Sequence, residues 1–187
     1  MSYLRLVHSP SPPAAPVGTS DEACLDAFQR ELDYLHRTLR RLGATPAEVD
    51  DLAQDVFLAL RGGWSQYDSS RPLRPYLFGI AFRITSAHRR KHRREVSFAV
   101  VEADDAGPGP DDLLQSKQAR ALLLAALEHI PLPRRAVLIM HELDEVPVEE
   151  VAATLKIPKF TVYSRLRKGR RELEASVRRL RSEAKTR

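Results

Sequence analysis

The chain has 187 residues, with 30 Lys and Arg against 25 Asp and Glu and a hydrophobic share of 43%, which suits two small packed domains or one medium one and favours a polyanionic partner. Cys24 is the only cysteine, which excludes an internal disulfide, and no Cys/His cluster has zinc-site spacing, so neither a metal nor a cofactor is expected. No apolar run reaches the length of a membrane span and the first residues lack a signal-peptide core, so a reducing cytoplasm with no membrane insertion is the expected setting.

Residues 1–20 contain the run SPSPPAAPVG and are expected to form a disordered tail. From Asp21, apolar residues recur every three or four positions (Leu25, Phe28, Leu32, Leu35, Leu39, Leu42), predicting one helix capped by Ser20 and ended by Gly43. Thr45-Pro46 caps and opens a second helix, AEVDDLAQDVFLALRG. Val49, Leu52, Val56 and Leu60 face inward; Asp51, Gln54, Asp55 and Leu58 are left on its flanks. Gly62-Gly63 ends it, and WSQYDSSRPLR is a loop. Pro75 opens a third helix reaching about His92, nearly all apolar from Tyr76 to Ile84 except for Arg83.

The third helix ends in HRRKHRR. A solvated helix terminus explains some of this charge, since cations suit the macrodipole there. So dense a block also repels itself, and a phosphate backbone relieves that repulsion, which favours nucleic acid. The sign then reverses: 95–112 holds Glu102, Asp104, Asp105, Asp111 and Asp112 with no Lys or Arg, and Gly107-Pro108-Gly109-Pro110 breaks any helix. This is read as a flexible acidic linker. A new helical pattern runs from Leu113 to Ile130, and after Pro131 and Pro133 another from Arg134 to Leu143. No segment alternates with period two. The expected fold is all-α: helical domains at 21–94 and 113–177 joined by the linker, with a basic tail, 178–187, that frays.

The most informative stretch is PVEEVAATLKIPKFTVYSRLRKGRREL. Val148, Val151, Ala152 and Leu155 form one apolar stripe, with Pro147 at the first helical position. Lys156-Ile157-Pro158 breaks the helix. Val162, Leu166, Gly169 and Leu173 then share a second face, opposite Phe160, Ser164, Arg167, Lys168 and Arg171. A short helix, a tight turn and a second helix with a basic outer face is the sequence form of a DNA-reading helix-turn-helix; an αα-hairpin with a solvated basic face is the simpler alternative.

Three segments in order resemble the sigma factors of RNA polymerase, of the extracytoplasmic-function (ECF) type. VDDLAQDVFLAL is similar to the family's clamp-binding helix. RPLRPYLFGIAFRITSAHRRKHRR is similar to its promoter-melting and −10-reading helix. The stretch from LLLAALEHIPLPRRAVLIMHELDEV through the helix-turn-helix is similar to its −35-reading domain. The resemblance implies no enzymatic activity of the chain's own and three partners: core RNA polymerase through its clamp and flap, promoter DNA, and an anti-sigma factor. It assigns Asp51, Gln54, Asp55 and Leu58 to the clamp. Trp64 and Tyr67 would stack on a flipped −10 base, and Arg71, Arg74, Arg83, His88, Arg89 and Arg90 would contact −10 DNA. Lys159, Phe160, Tyr163, Ser164, Arg167, Lys168 and Arg171 would meet −35 DNA. The linker acids would occupy the polymerase's RNA path.

The chain departs from the family pattern at Phe82-Arg83 and Ser86, which implies an unusual −10 preference. Lys156 stands where the turn wants a left-handed residue, at a cost of about 1 kcal/mol relative to Gly. Phe160, on the outward face, is either a tolerated exposed apolar residue or one that meets a thymine methyl group. Two other classes fit less well. A promoter-specific regulator that is not a polymerase subunit would carry an α/β receiver, and nothing strand-like precedes Asp21. A recombinase needs a Ser or Tyr beside an Arg/His constellation, and none is legible.

Overall fold

Glu31 divides the first predicted helix. Its N–H bonds the Phe28 carbonyl at 3.0 Å, a tight turn that separates α1 (Ser20–Arg30) from α2 (Leu32–Leu42). The computed structural model describes residues 20–95 and 111–186. The expected N-terminal tail before Ser20, and Glu102, Asp104 and Asp105 of the expected linker, lie outside the described residues.

Gly43 ends α2 at φ 100°, with the Ala44 N–H returning 3.0 Å to the Leu39 carbonyl. That closure needs a left-handed residue after the helix. Thr45 then caps a 3-10 turn, Pro46–Glu48, that leads into α3 (Val49–Gly63). The inward positions of α3 are as expected: Val49, Leu52, Val56 and Leu60 are buried. A second 3-10 turn, Trp64–Gln66, begins the loop, and α4 (Leu73–Glu95) starts two residues before Pro75. Leu25 departs from the expected stripe, being 41% exposed.

The second helical group comprises α5 (Asp111–Glu128), α6 (Leu132–Leu138), α7 (Val148–Leu155) and α8 (Lys159–Thr186). The predicted apolar helix from Arg134 to Leu143 is α6 followed by a π-turn, Ile139–Leu143. Pro147 is the residue before α7 rather than its first helical residue. Lys156 adopts φ 53°, and the Ile157 N–H bonds the Ala152 carbonyl at 3.0 Å, so the left-handed turn forms despite its Cβ. The tail expected to fray continues α8 instead. Leu180 within it is half-buried, as is Val177 just before it, where Ser176 is buried, and α8 packs along α5.

Within the helix-turn-helix, α8 lies so close to α6 that a Cβ on Gly169 would sit 2.9 Å from Leu138 Cδ1. Val162 and Leu166 are buried on the same face. Arg134 to Glu172 at 2.7 Å and Arg170 to Glu142 at 2.9 Å pin the outer edges. The two helical groups also pack on each other: α4 contacts α7, and α2 contacts α5 and α6. Gly79 lies where α4 meets α7, with Thr154 Cγ2 3.1 Å from where its Cβ would stand. No strand occurs among the described residues.

Candidate polymerase and nucleic-acid interfaces

The buried stripe of α3 fixes what its other side presents. Asp51, Gln54 and Asp55 are exposed, and Leu58 is 55% exposed beside them. A large apolar side chain left in water amid acidic and amide groups suits a protein partner carrying a small apolar contact ringed by cations or amides.

At the end of α3 three aromatics are layered. Trp64 stacks on Tyr67 at a ring separation of 5.3 Å, and Tyr67 leans on Tyr76 at 5.1 Å. Trp64 and Tyr67 are both half-buried, so each keeps a ring edge toward solvent. Arg71 and Arg83 are exposed around this layer. Facing it across a cleft are Glu150, Thr154 and Lys156, at or just after α7. Arg74 is committed elsewhere: its Nε donates to Glu31 Oε2 at 2.7 Å, and its guanidinium lies 5.2 Å above the Tyr34 ring.

The basic end of α4 is divided in the same way. Arg90 and Lys91 are exposed, whereas Arg89 is half-buried, donating from Nη1 to the Leu42 carbonyl at 3.2 Å. Arg135, 1% exposed, reaches the same carbonyl from the second group at 2.9 Å. Two cations thus converge on the negative end of α2. Gly43 makes room for them, since a Cβ there would sit 2.4 Å from Arg89 Nη1 and 2.5 Å from Arg135 Nη1. Arg135 also donates to the Ile130 carbonyl at 3.2 Å and to Glu128 O at 2.8 Å. Burial, and then the Arg89 charge, push its pKa down to about 10, so it remains a cation at neutral pH.

The first turns of α8 are open on the outer face. Phe160 is 74% and Tyr163 58% exposed; Arg167, Lys168 and Arg171 are exposed and Ser164 is half-buried. Lys159 is also exposed but bonds Glu149 Oε1 at 2.9 Å, tying the start of α8 to α7. An apolar ring pair followed by free cations, on a helix whose opposite face is buried, has the layout of a helix that enters a major groove.

Sequence reasoning missed two features. Asp144 and Arg135 bridge the two helical groups through partners far away in the chain, with no local pattern to announce them. The side chains of Glu48, His88 and His92 also come together, their ligand-type atoms all within 4.8 Å of one another. The spacing His88-x-x-x-His92, one helical turn, was the available signal.

Comparison with known proteins places the chain in context. The family model for sigma-70 region 2 matches residues 27–95 and that for sigma-70 region 4 matches residues 120–173. The chain is 27% identical over 153 residues to the RNA polymerase sigma factor NccH of Alcaligenes xylosoxydans xylosoxydans, covering 79% of this chain and 82% of that protein. It is 24% identical over 170 residues to the ECF RNA polymerase sigma factor SigW of Bacillus subtilis, covering 84% and 90%. Among solved structures the fold is similar to CnrH in complex with the cytosolic domain of CnrY, with a TM-score of 0.60 at 22% identity, covering 82% of this chain and 86% of that one. It is also similar to the sigma factor RpoE of Bartonella quintana in complex with the anti-sigma factor NepR, with a TM-score of 0.64 at 21% identity, covering 82% and 96%.

Proposed function

The chain belongs to the sigma-70 family, of the ECF type, directing RNA polymerase to specific promoters, and from that premise we propose how its surfaces divide the task. The exposed side of α3 holds the polymerase clamp through Asp51, Gln54, Asp55 and Leu58. The Trp64–Tyr67 layer receives an unstacked −10 base, with Arg71, Arg83 and Arg90 along the strand. The outer face of α8 reads −35 duplex DNA. The chemistry of RNA synthesis belongs to the polymerase. No helix among the described residues is long and apolar enough to cross a membrane.

The single observation that carries the clamp assignment is Leu58, which is 55% exposed on a helix whose Val49, Leu52, Val56 and Leu60 are buried. Its acidic surround gives that contact its charge preference. An anti-sigma factor, the kind of partner with which the Bartonella RpoE was crystallised, is the negative regulator we assign to this chain as well.

The packing of α4 on α7 bears on the −10 step. Tyr67, Arg71 and Arg83 line the cleft whose far wall holds Glu150, Thr154 and Lys156. A DNA strand reaching the aromatic layer needs that wall moved, so the arrangement seen here is a closed one and promoter engagement separates the two groups. Neither Arg74 nor Arg89 contacts DNA in the closed arrangement. Both are held within their own group, Arg74 by Glu31 and Arg89 by the Leu42 carbonyl, so opening alone frees neither.

The deciding experiment is run-off transcription and co-purification with core polymerase, using the parent chain and the Asp51→Arg/Asp55→Arg variant. The variant should lose core association and run-off product while keeping its thermal midpoint within a few degrees. Undiminished association would place the clamp contact on another face.

A further inference from the structure

The carboxylate of Glu48 is hydrogen-bonded at one oxygen and turned toward a histidine at the other. Oε2 accepts from both the Thr45 N–H and the Thr45 hydroxyl, each at 2.8 Å. This is the reciprocal cap of the turn that starts α3. Oε1 is left pointing at α4, where His88 Nδ1 lies 3.7 Å away. One helical turn on, the ring of His92 stands 4.4 Å from that of His88. The three potential ligand atoms lie within 4.8 Å of one another. Glu48 and His88 are half-buried and His92 is exposed, so the cluster is walled on one side and open to water on the other.

This is the donor set of a three-ligand metal site. Two imidazoles one turn apart on one helix face converge on a common point, and a carboxylate from a second element completes a facial triad. A tetrahedral ion with bonds of about 2.0–2.1 Å needs donors roughly 3.3 Å apart. The exposed His92 ring has the freedom to close the difference. The Thr45 bonds do what outer-shell partners do in metal sites, fixing the carboxylate so that little orientation is lost on binding. The strongest electrostatic objection is the basic end of α4. Arg89, next to His88 in the chain, turns its guanidinium away to the Leu42 carbonyl.

We propose that Glu48, His88 and His92 form a binding site for one divalent ion of the zinc(II) class, with water in the remaining position. The borderline nitrogen-rich donors favour zinc(II), cobalt(II) or nickel(II) over calcium or magnesium, which take all-oxygen shells. The ion cross-links the basic half of α4 to the 3-10 turn that leads into α3, the clamp-facing helix. It also takes His88 out of the set of side chains open to DNA.

The test is competition for zinc(II) between the full-length protein and a chromophoric chelator, with cobalt(II) absorption as a second readout. The parent should bind one ion per chain and show the visible bands of tetrahedral cobalt(II). His92→Ala, a change at an exposed side chain, should weaken binding at least tenfold and abolish the bands. Thr45→Ala leaves all three ligands in place and should weaken binding roughly 10–100-fold through the loosened carboxylate. His129→Ala, in an exposed histidine remote from the cluster in sequence, should change nothing. Equal zinc(II) affinity in the parent and His92→Ala overturns the site, as does a loss in His129→Ala matching that in His92→Ala.

Discussion

Tyr34 donates its hydroxyl proton to Asp144 Oδ2 at 2.8 Å, across 110 positions of sequence. Arg41 reaches Oδ1 of the same carboxylate at 3.0 Å. Two residues of α2 therefore hold the residue that follows the π-turn, and with it the approach to the helix-turn-helix. The pair is a fastener between the two helical groups. It sits beside Arg74, whose guanidinium covers the Tyr34 ring.

That fastener has a pH signature. Burial pushes the Asp144 carboxyl above its ordinary 3.8, outweighing Tyr34 and Arg41, which pull it down. A raised native pKa means that the closed form binds more protons than the open or unfolded one in the window just above 3.8. Stability from this site therefore falls as pH rises through that window. Asp144→Asn keeps an acceptor for Tyr34 and removes the titration. The thermal midpoint of the parent, measured relative to Asp144→Asn, should rise as pH is lowered from 6 toward 4. Asp144→Ala leaves both Tyr34 and Arg41 without their partner and should cost about 1–3 kcal/mol at neutral pH. A pH-independent difference between parent and Asn variant would falsify the assignment.

Gly79 allows a test of closure itself. A leucine there would collide with Thr154, whose Cγ2 is only 3.1 Å from the added Cβ. In a helix interior leucine is better than glycine by most of 1 kcal/mol. Gly79→Leu should therefore separate α4 from α7 without unfolding either. Small-angle scattering should report a larger radius of gyration, and binding to −10 single-stranded DNA should strengthen severalfold. An unchanged radius would mean that α7 slides aside and the cleft stays shut.

Much of this was legible in sequence, because it depends on local periodicity. The stripes of α3 and α8, the turn at Gly43 and the left-handed Lys156 all follow from residues within one or two helical turns of each other. The helix-turn-helix was found because both of its helices are amphipathic at short range. What escaped depends on tertiary partners. The break at Glu31 lies inside an unbroken apolar rhythm, so periodicity carried straight through it. The continuation of α8 to Thr186 is supported by packing on α5, which a basic tail sequence does not advertise. Arg74 and Arg89 read as free cations until Glu31 and the Leu42 carbonyl appear beside them. Histidines and a glutamate 40 and more positions apart gave no spacing motif of the Cys/His kind.

The recognition helix yields a paired prediction. Arg167 lies within the first turns of α8 on the side of Phe160 and Ser164, where both arms of a guanidinium can meet guanine O6 and N7, a contact worth roughly 1–3 kcal/mol of discrimination. Lys168 and Arg171 stand further along and meet phosphate. Arg167→Ala should relax preference at one −35 position, chiefly for guanine. Lys168→Ala should weaken all −35 sequences alike and reduce the salt slope by about one. Binding of the full chain to a −35 duplex library at two salt concentrations separates them. The reverse pattern would mean that α8 is rotated in the groove.

Arg135 determines how readily the closed form lets go. Two of its acceptors, Ile130 O and Glu128 O, belong to its own helical group, and only the Leu42 carbonyl lies across the junction. Parting the groups breaks one bond of this guanidinium and leaves the other two, so the cation is never stranded in an apolar site. The departing carbonyl keeps Arg89 from within its own group. Both halves of the junction thus keep electrostatic partners when they part, which reduces the cost of opening. Collective domain motions run on the microsecond-to-millisecond scale, and relaxation-dispersion NMR of residues flanking Leu42 and Arg135 is the measurement that checks whether this junction opens within it.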